Sequence, residues 1–358
     1  MRCALRARAV DEVIPIDRKL AADAAGLQAA LLGVDAVMHL AGVNRSADDK
    51  AFDYNIRLAQ QLTKALDSAG SRPIIVYANS IQSGSDTRFG ETKQAAADHL
   101  LAWGRRTSAS VADVRLPNLF GEHGRPHYNS VVATFCDELA RGRQPTIIED
   151  RTLSLLHAQD GVDLMLDLVA RPTTRTVTPE GRPMRVSELL VQLRAFCDDY
   201  SRGGLPDLTD RFDRALFNTY RSFCFPDQYP IYPPLRSDNR GGLFEAVRCR
   251  GGQTQVFFSS THPGATRGNH FHLRKVERFL VLDGSAVIAL RRLFRDEVVK
   301  FRVSGDRPAI IDIPTMWTHS ITNVGSKELL TLFWADELLD PQRSDTYAER
   351  VEAAKASA

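Results

Sequence analysis

The chain has 358 residues, a length at which two domains are the ordinary division and sizeable cores can form. Apolar residues make up 43%, charged residues 25%, and the net charge is +2, which leaves no overall electrostatic case for nucleic acid or an anionic membrane as partner. No apolar run approaches a spanning helix, the N-terminal MRCALRARAV lacks the apolar region of a signal peptide, and the scattered cysteines (Cys3, Cys136, Cys197, Cys224, Cys249), with no C-x-x-C spacing, fit a reducing cytoplasm.

From the N-terminus to about residue 160, strand-like and helix-like stretches alternate. CALRA reads as a short strand and GLQAALLG as a short helix. DAVMHLAG is an apolar strand closed by glycine, and LAQQLTKALDSAG is a helix. PIIVYANS is a strand, ETKQAAADHLLAWGRR a helix, and SVADVRLPN a strand. Such alternation predicts βαβ units on a parallel sheet. Ligands of such sheets sit beyond the carboxyl ends of the strands, here His39 to Gly42, Asn79 to Gln82 and Pro117 to Gly121.

Residues 124–135, GRPHYNSVVATF, open as a loop and turn helical, and residues 187–224 carry two amphipathic helical stretches. The proline-rich FPDQYPIYPPLRSDNRGG then reads as a linker. It sets the expected domains at 1–228 and 229–358. Beyond it, eight short apolar stretches separated by turns, from LFEAVR to ELLTLFWAD, predict an antiparallel barrel or jelly roll.

Within that half, His270 and His272 stand one residue apart on a strand stretch and so share a face. Glu277 follows after a short turn, and His319 arrives from a later strand. Three imidazoles and a carboxylate converging in a small barrel suit zinc or another divalent cation. The other outcome is a barrel whose histidines only hydrogen-bond, or hold a sugar, without metal.

The run Gly264 to Gly284, G-x5-H-x-H-x4-E-x6-G, matches the first cupin motif at every fixed position. Pro314, His319 and Asn323 match the second, whose middle glycine is Met316 here. The C-terminal half thus resembles the cupin family. The N-terminal half resembles the extended short-chain dehydrogenase/reductase family of nucleotide-sugar enzymes, in HLAGVNR, NSIQ, RLPNLFG and HAQDGVDLMLDLV. That resemblance implies a Rossmann-like α/β domain. It places Ser80 at the catalytic serine or threonine, Lys93 at the lysine of the tyrosine-x-x-x-lysine motif, and His39, Ala41, Gly42 and Lys93 beside a nicotinamide nucleotide. Arg6, after the first expected strand, falls where such enzymes hold the NADP 2′-phosphate. Asn118 lies in the substrate loop, with Arg125, Tyr128 and Asn129 as further contacts to a nucleotide sugar or, alternatively, as packing for the following helix. Two departures stand out: no G-x-x-G-x-x-G occurs, so the domain reads as lacking its first strand and glycine loop, and the tyrosine position is Phe89, a ring with no hydroxyl to act as acid.

Over nearly the whole length, HLAGVNR, SIQ, RLPNLFG, YNSVVATFC, RGNHFH and WADELLDPQRSDTY resemble the bifunctional UDP-sugar reductase/3-epimerases of capsule and O-antigen synthesis, the CapF/WbjC type. The family implies C3 epimerisation of a UDP-2-acetamido-4-keto-6-deoxyhexose in a zinc-binding cupin domain, NADPH-dependent C4 reduction in the other domain, and a cytoplasmic homodimer. Arg240-Gly241-Gly242-Leu243-Phe244-Glu245 and Arg267-Gly268-Asn269-His270 are also similar to cupin-type sugar-nucleotide 3-epimerases, where the histidine after the R-G pair is a base. Here the same His270 would be a metal ligand, which leaves Lys275, Arg274, Tyr232 and His262 as candidates for the proton chemistry; Lys275 is taken as catalytic. A cupin dioxygenase, since the same ligands suit iron(II), and a non-catalytic sugar-nucleotide binding or dimerisation protein are the other readings.

Overall fold

The computed structural model describes residues 1–352 apart from Asp11, Leu235, Asn239, Arg240, Phe244, Glu245, Gln253, Leu339, Pro341 and Arg343. Part of the R-G-G-L-F-E run, Arg240, Phe244 and Glu245, therefore lies outside the described residues.

The chain opens with three helices, α1 (Arg2–Ala7), α2 (Arg18–Ala22) and α3 (Ala24–Ala30). There follow β1 (Ala36–His39), α4 (Tyr54–Ala69), β2 (Ile74–Ser80), α5 (Arg88–Thr107), β3 (Val111–Leu116) and β4 (Asn118–Phe120). Next come α6 (Val131–Ala140), β5 (Thr152–His157), α7 (Ala158–Ala170), β6 (Arg175–Val177) and β7 (Arg182–Arg185). The helices α8 (Val186–Tyr200) and α9 (Arg211–Cys224) flank β8 (Leu205–Asp207). The short strands β9 (Arg236–Asp238), β10 (Gly241–Leu243) and β11 (Cys249–Gly251) lead to the long ones: β12 (Gln255–Thr261), β13 (Thr266–Phe271), β14 (Glu277–Asp283) and β15 (Ser285–Arg292). The last are β16 (Val298–Ser304), β17 (Ile310–Ile313), β18 (Trp317–Asn323), β19 (Leu329–Ala335) and β20 (Tyr347–Ala348).

Two compact units result, Met1–Leu119 with Thr152–Met184, and Phe120–Arg151 with Arg185–Ala358. The first is built on a parallel sheet in the order β1-β2-β3-β6. Alternate residues of β2 serve opposite faces. Ile75 and Tyr77 join Leu62, Leu66, Leu100 and Trp103 of α4 and α5 in one core, while Val76 meets Val114, Met165 and Leu168 on the other. A central parallel strand covered on both faces needs such a continuous apolar run. α4 stops at Gly70, whose φ of +66° suits a left-handed cap. The expected first strand, CALRA, is instead α1: alanine, leucine and arginine are good helix formers, and the stretch has no β-branched residue to favour a strand.

In the second unit, β12-β19-β14-β17 and β16-β15-β18-β13-β20 form two antiparallel sheets. Their inward residues make one core of Phe279, Val281, Ile288, Leu290, Ile311, Ile321 and Phe333, the double-sheet jelly roll expected of a cupin. The division does not fall at residue 228, because α6, α8 and α9 pack together within this unit. Tyr200 of α8 donates to Asp312 of β17 at 2.7 Å, and Arg221 of α9 donates to the Ile313 carbonyl at 3.3 Å. Arg278 grips the same Asp312 with two bonds of 2.7 and 3.0 Å, both side chains fully buried. A buried ion pair needs every partner it can gather, and the Tyr200 hydroxyl is one.

Candidate active site

The barrel cluster depends on a local irregularity. β13 pairs with β18, and the register slips between Gly268 and His270, so that His270 stands opposite His319. Gly268 has φ +99° and Asn269 φ +59°. A Cβ at Gly268 would lie 2.7 Å from the His319 carbonyl oxygen, so the glycine of R-G-N-H is required by both conformation and space. His272 follows the end of β13, and Glu277 opens β14. Met316, at the glycine position of the second motif, has φ +64°. It turns the chain into β18 while its N–H donates to the His272 carbonyl at 2.7 Å.

These elements bring His270, His272, Glu277 and His319 together, with one ligand-type atom of each lying within 4.8 Å of the others. The rings of His270 and His319 are 4.4 Å apart, and those of His270 and His272 5.0 Å. Glu277 Oε2 is 2.9 Å from His272 Nε2 and 3.6 Å from His319 Nε2. Burial, with His319 and His272 alongside, pushes His270 down to about 3. Burial also lowers His319, against the pull of Glu277. In the His272–Glu277 pair burial opposes both charges, but each partner stabilises the other: the imidazole stands above its ordinary value and the carboxyl well below its own. Both ring nitrogens of His319 are buried without a hydrogen-bond partner, and His272 Nε2 faces only the Glu277 carboxylate. Buried polar atoms ordinarily have partners, and three nitrogens with one carboxylate oxygen are a donor set that a divalent cation satisfies. Zinc, or a comparable ion, fits these residues.

Lys275 is buried at the same site, its Nζ 3.8 Å from Glu277 Oε1 and donating to Thr346 Oγ1 at 3.3 Å. Other candidates are engaged elsewhere. Arg274 pairs with Glu337 at 3.4 Å, exposed His262 with Glu328, and the Tyr232 ring with Arg307 at 3.9 Å.

In the first unit, His39 at the end of β1 stacks on Tyr77 at 5.2 Å. Lys93 of α5 lies over the other partner of that stack, 4.2 Å from the Tyr77 ring centre, and donates to the Ala78 carbonyl at 2.8 Å. Burial brings the Lys93 amine down to about 8 and, with Lys93 nearby, His39 to about 4. Ser80 ends β2 and accepts from the Gln82 N–H at 3.2 Å. Phe89 packs its ring on Phe52 at 5.7 Å. Ala41 and Gly42 form the turn after β1. Buried Asn55, which the motif reading missed, clamps that turn through the Val43 N–H at 2.7 Å and carbonyl at 3.0 Å. A Cβ at Gly42 would meet the Asn55 Oδ1 at 2.9 Å.

Arg6 lies exposed on α1 and does not follow a strand. The geometry that suggested a 2′-phosphate contact for it is therefore absent, because CALRA is helical. Before β1 the described residues contain no strand and no glycine turn of the dinucleotide type, so a nicotinamide nucleotide finds no pyrophosphate cradle among them. Asn118 donates to the Ser154 carbonyl at 3.3 Å. Arg125, Tyr128 and Asn129 belong to the second unit. There Arg125 stacks 4.8 Å over Tyr128, and Ser130, next to exposed Asn129, caps α6.

Residues 5–178 match the NAD dependent epimerase/dehydratase family, and residues 236–347 match the polysaccharide biosynthesis C-terminal domain. Over 342 residues, 94% of this chain and 91% of the relative, the sequence is 33% identical to a UDP-2-acetamido-2,6-beta-L-arabino-hexul-4-ose reductase of Pseudomonas aeruginosa. Among solved structures it is similar to the capsular polysaccharide assembling protein CapF of Staphylococcus aureus, with 32% identity, 91% of this chain and 89% of that one covered, and a TM-score of 0.54. It is also similar to CapF with the inhibitor 3-isopropenyl-tropolone, at 30% identity, 98% and 95% coverage and a TM-score of 0.56.

Proposed function

The chain belongs to the family of that Pseudomonas reductase and of staphylococcal CapF, and from this premise we propose that its barrel epimerises C3 of a UDP-2-acetamido-4-keto-6-deoxyhexose for capsular or O-antigen polysaccharide. The observation that carries the reading is the convergence of His270, His272, Glu277 and His319. A proton beside a ketone becomes acidic only when the enolate oxygen is stabilised. A divalent ion at the cluster, zinc or another, supplies that stabilisation as a Lewis acid.

The chain's own residues do the rest. Glu277 and the imidazoles hold the charge balance, and Lys275 Nζ, 3.8 Å from Glu277, carries a proton at one face of the sugar. Removal of the C3 proton leaves its electron pair in the enolate. Lys275 Nζ takes that proton, and return of a proton from solvent to the opposite face restores the ketone with C3 inverted.

Reduction of the 4-ketone is the activity in the relative's name, and NADPH is the reductant this reading takes for it. Ser80 at the end of β2 and Lys93 on α5 are the residues this reading would use, while position 89 offers no phenol and the described residues offer no pyrophosphate cradle. The reading includes a homodimer acting in the cytoplasm; no described helix is long and apolar enough to cross a membrane.

The test is solvent deuterium. Incubated with the 4-keto sugar in deuterated buffer, the parent is expected to place deuterium at C3, and His319→Ala to lose this with its metal. Absence of exchange in a metal-loaded parent overturns the assignment. A tropolone, as a bidentate oxygen chelator, is expected to block the exchange.

A further inference from the structure

Residues 345–351 run back across β13, which carries His270. β20 pairs with β13 at His270 and Phe271. The Glu349 N–H donates to the Asn269 carbonyl at 2.9 Å, and the Val351 N–H to Asn269 Oδ1 at 3.2 Å. Thr318, beside His319, donates its hydroxyl to the Glu349 carbonyl. Arg291 donates to the carbonyls of Arg350 and Val351 at 2.7 and 2.6 Å.

At the head of this segment sits Asp345, with no exposed surface. Its Oδ2 accepts the N–H groups of Leu273, Arg274 and Lys275 at 3.2, 2.8 and 2.8 Å, and Oδ1 shares the first at 3.1 Å. Its backbone carbonyl lies 2.5 Å from His272 Nδ1. A carbonyl oxygen can only accept, so this contact requires a proton on His272 Nδ1 and makes Nε2 the ring atom turned toward Glu277 and the other candidate ligands.

We infer that Asp345 is a positioning residue: its carboxylate gathers the turn after His272, its carbonyl fixes the metal-binding tautomer of His272, and residues 345–351 act as the strap that keeps both in place. Three successive N–H groups aimed at one carboxylate form an anion-holding turn, and here the anion belongs to the protein. The same turn carries Lys275, whose Nζ reaches Thr346 of the strap. One residue thereby sets both a ligand and the proposed proton carrier. A histidine ligand oriented through its second nitrogen typically binds metal 10–100-fold more tightly than one without that support.

The inference rests on the metal reading of the barrel. Its test is zinc affinity of the full chain by chelator competition, with the His272 Nδ1–H signal followed by nitrogen-15 NMR. Asp345→Asn supplies one side-chain acceptor oxygen in place of two and turns an N–H donor toward the turn. It is expected to lose about 10–100-fold in zinc affinity and to broaden or lose the His272 Nδ1–H signal, while Asp345→Glu recovers part of both. Thr318→Val, which loosens the strap at Glu349 and leaves the carboxylate untouched, is expected to give a smaller loss in the same direction and serves if Asp345→Asn does not fold. Lowered thermal stability with unchanged zinc affinity in the folded variants overturns the inference alone. A parent with no affinity for zinc or another divalent ion overturns it together with the metal reading.

Discussion

The barrel and the parallel sheet treat their candidate residues differently. In the barrel, four residues separated by up to 49 positions along the chain, His270 to His319, meet in one cluster, and His319 presents buried nitrogens with no partner. In the sheet, Lys93 already has a partner: it is bonded to the Ala78 carbonyl and laid over Tyr77, with a phenylalanine one helical turn before it. A metal cluster is complete once its own strands pair. A dinucleotide site needs a strand, a glycine turn and a helix N-terminus beside those residues, and among the described residues β1 is the edge strand of this sheet.

The largest effect that would sharpen this contrast comes from Lys275. Lys275→Met is expected to lower C3 exchange by about 10²–10⁴-fold, the usual worth of a general acid or base, with zinc still bound. Unchanged exchange would remove the lysine from the proton path. In the other unit, Phe89→Tyr restores a phenol, and NADPH oxidation with the epimerised sugar is expected to rise by at least about 10-fold over the parent. No rise would place the limit in dinucleotide binding instead.

Lys93 offers a pH test of the same unit. Burial lowers its folded pKa to about 8 from 10.5, so the unfolded chain holds more proton between those values and stability on this account rises with pH across that window. Lys93→Met should therefore stabilise the apoprotein by about 1–2 kcal/mol at pH 7. The gain should shrink toward pH 10, as read by denaturant unfolding. An equal gain at both pH values would show that the amine is not the cause. Smallest is Met316→Gly: relief of a left-handed φ on a side-chain-bearing residue is worth about 1 kcal/mol, seen as a modest rise in Tm with metal binding intact.

Much of this was legible in the sequence for reasons that differ by element. The convergence of the four residues was readable because His270 and His272 stand one residue apart, and because the spacing to Glu277 and His319 matches a known motif. The strands of the parallel sheet were readable from IIVYA-type apolar runs. CALRA was not, since six residues of mixed polarity show no period and their helix propensity decided the matter. The grouping of α8 and α9 with the barrel was not readable either: amphipathicity says that a face is buried, never against what. Asp345 stood inside the WADELLDPQRSDTY resemblance, but nothing marked its role, since it lies some 70 positions from the turn it holds.

The slipped register at Gly268 and Asn269 carries one more implication. Along a pleated strand, inward and outward places are assigned by parity. Excising Asn269 would leave every histidine in the polypeptide yet exchange the sides of its neighbours, sending the Phe271 ring toward the cluster and the His270 imidazole away from it. What licenses chemistry here is an odd residue out, a counting irregularity that composition alone never reveals.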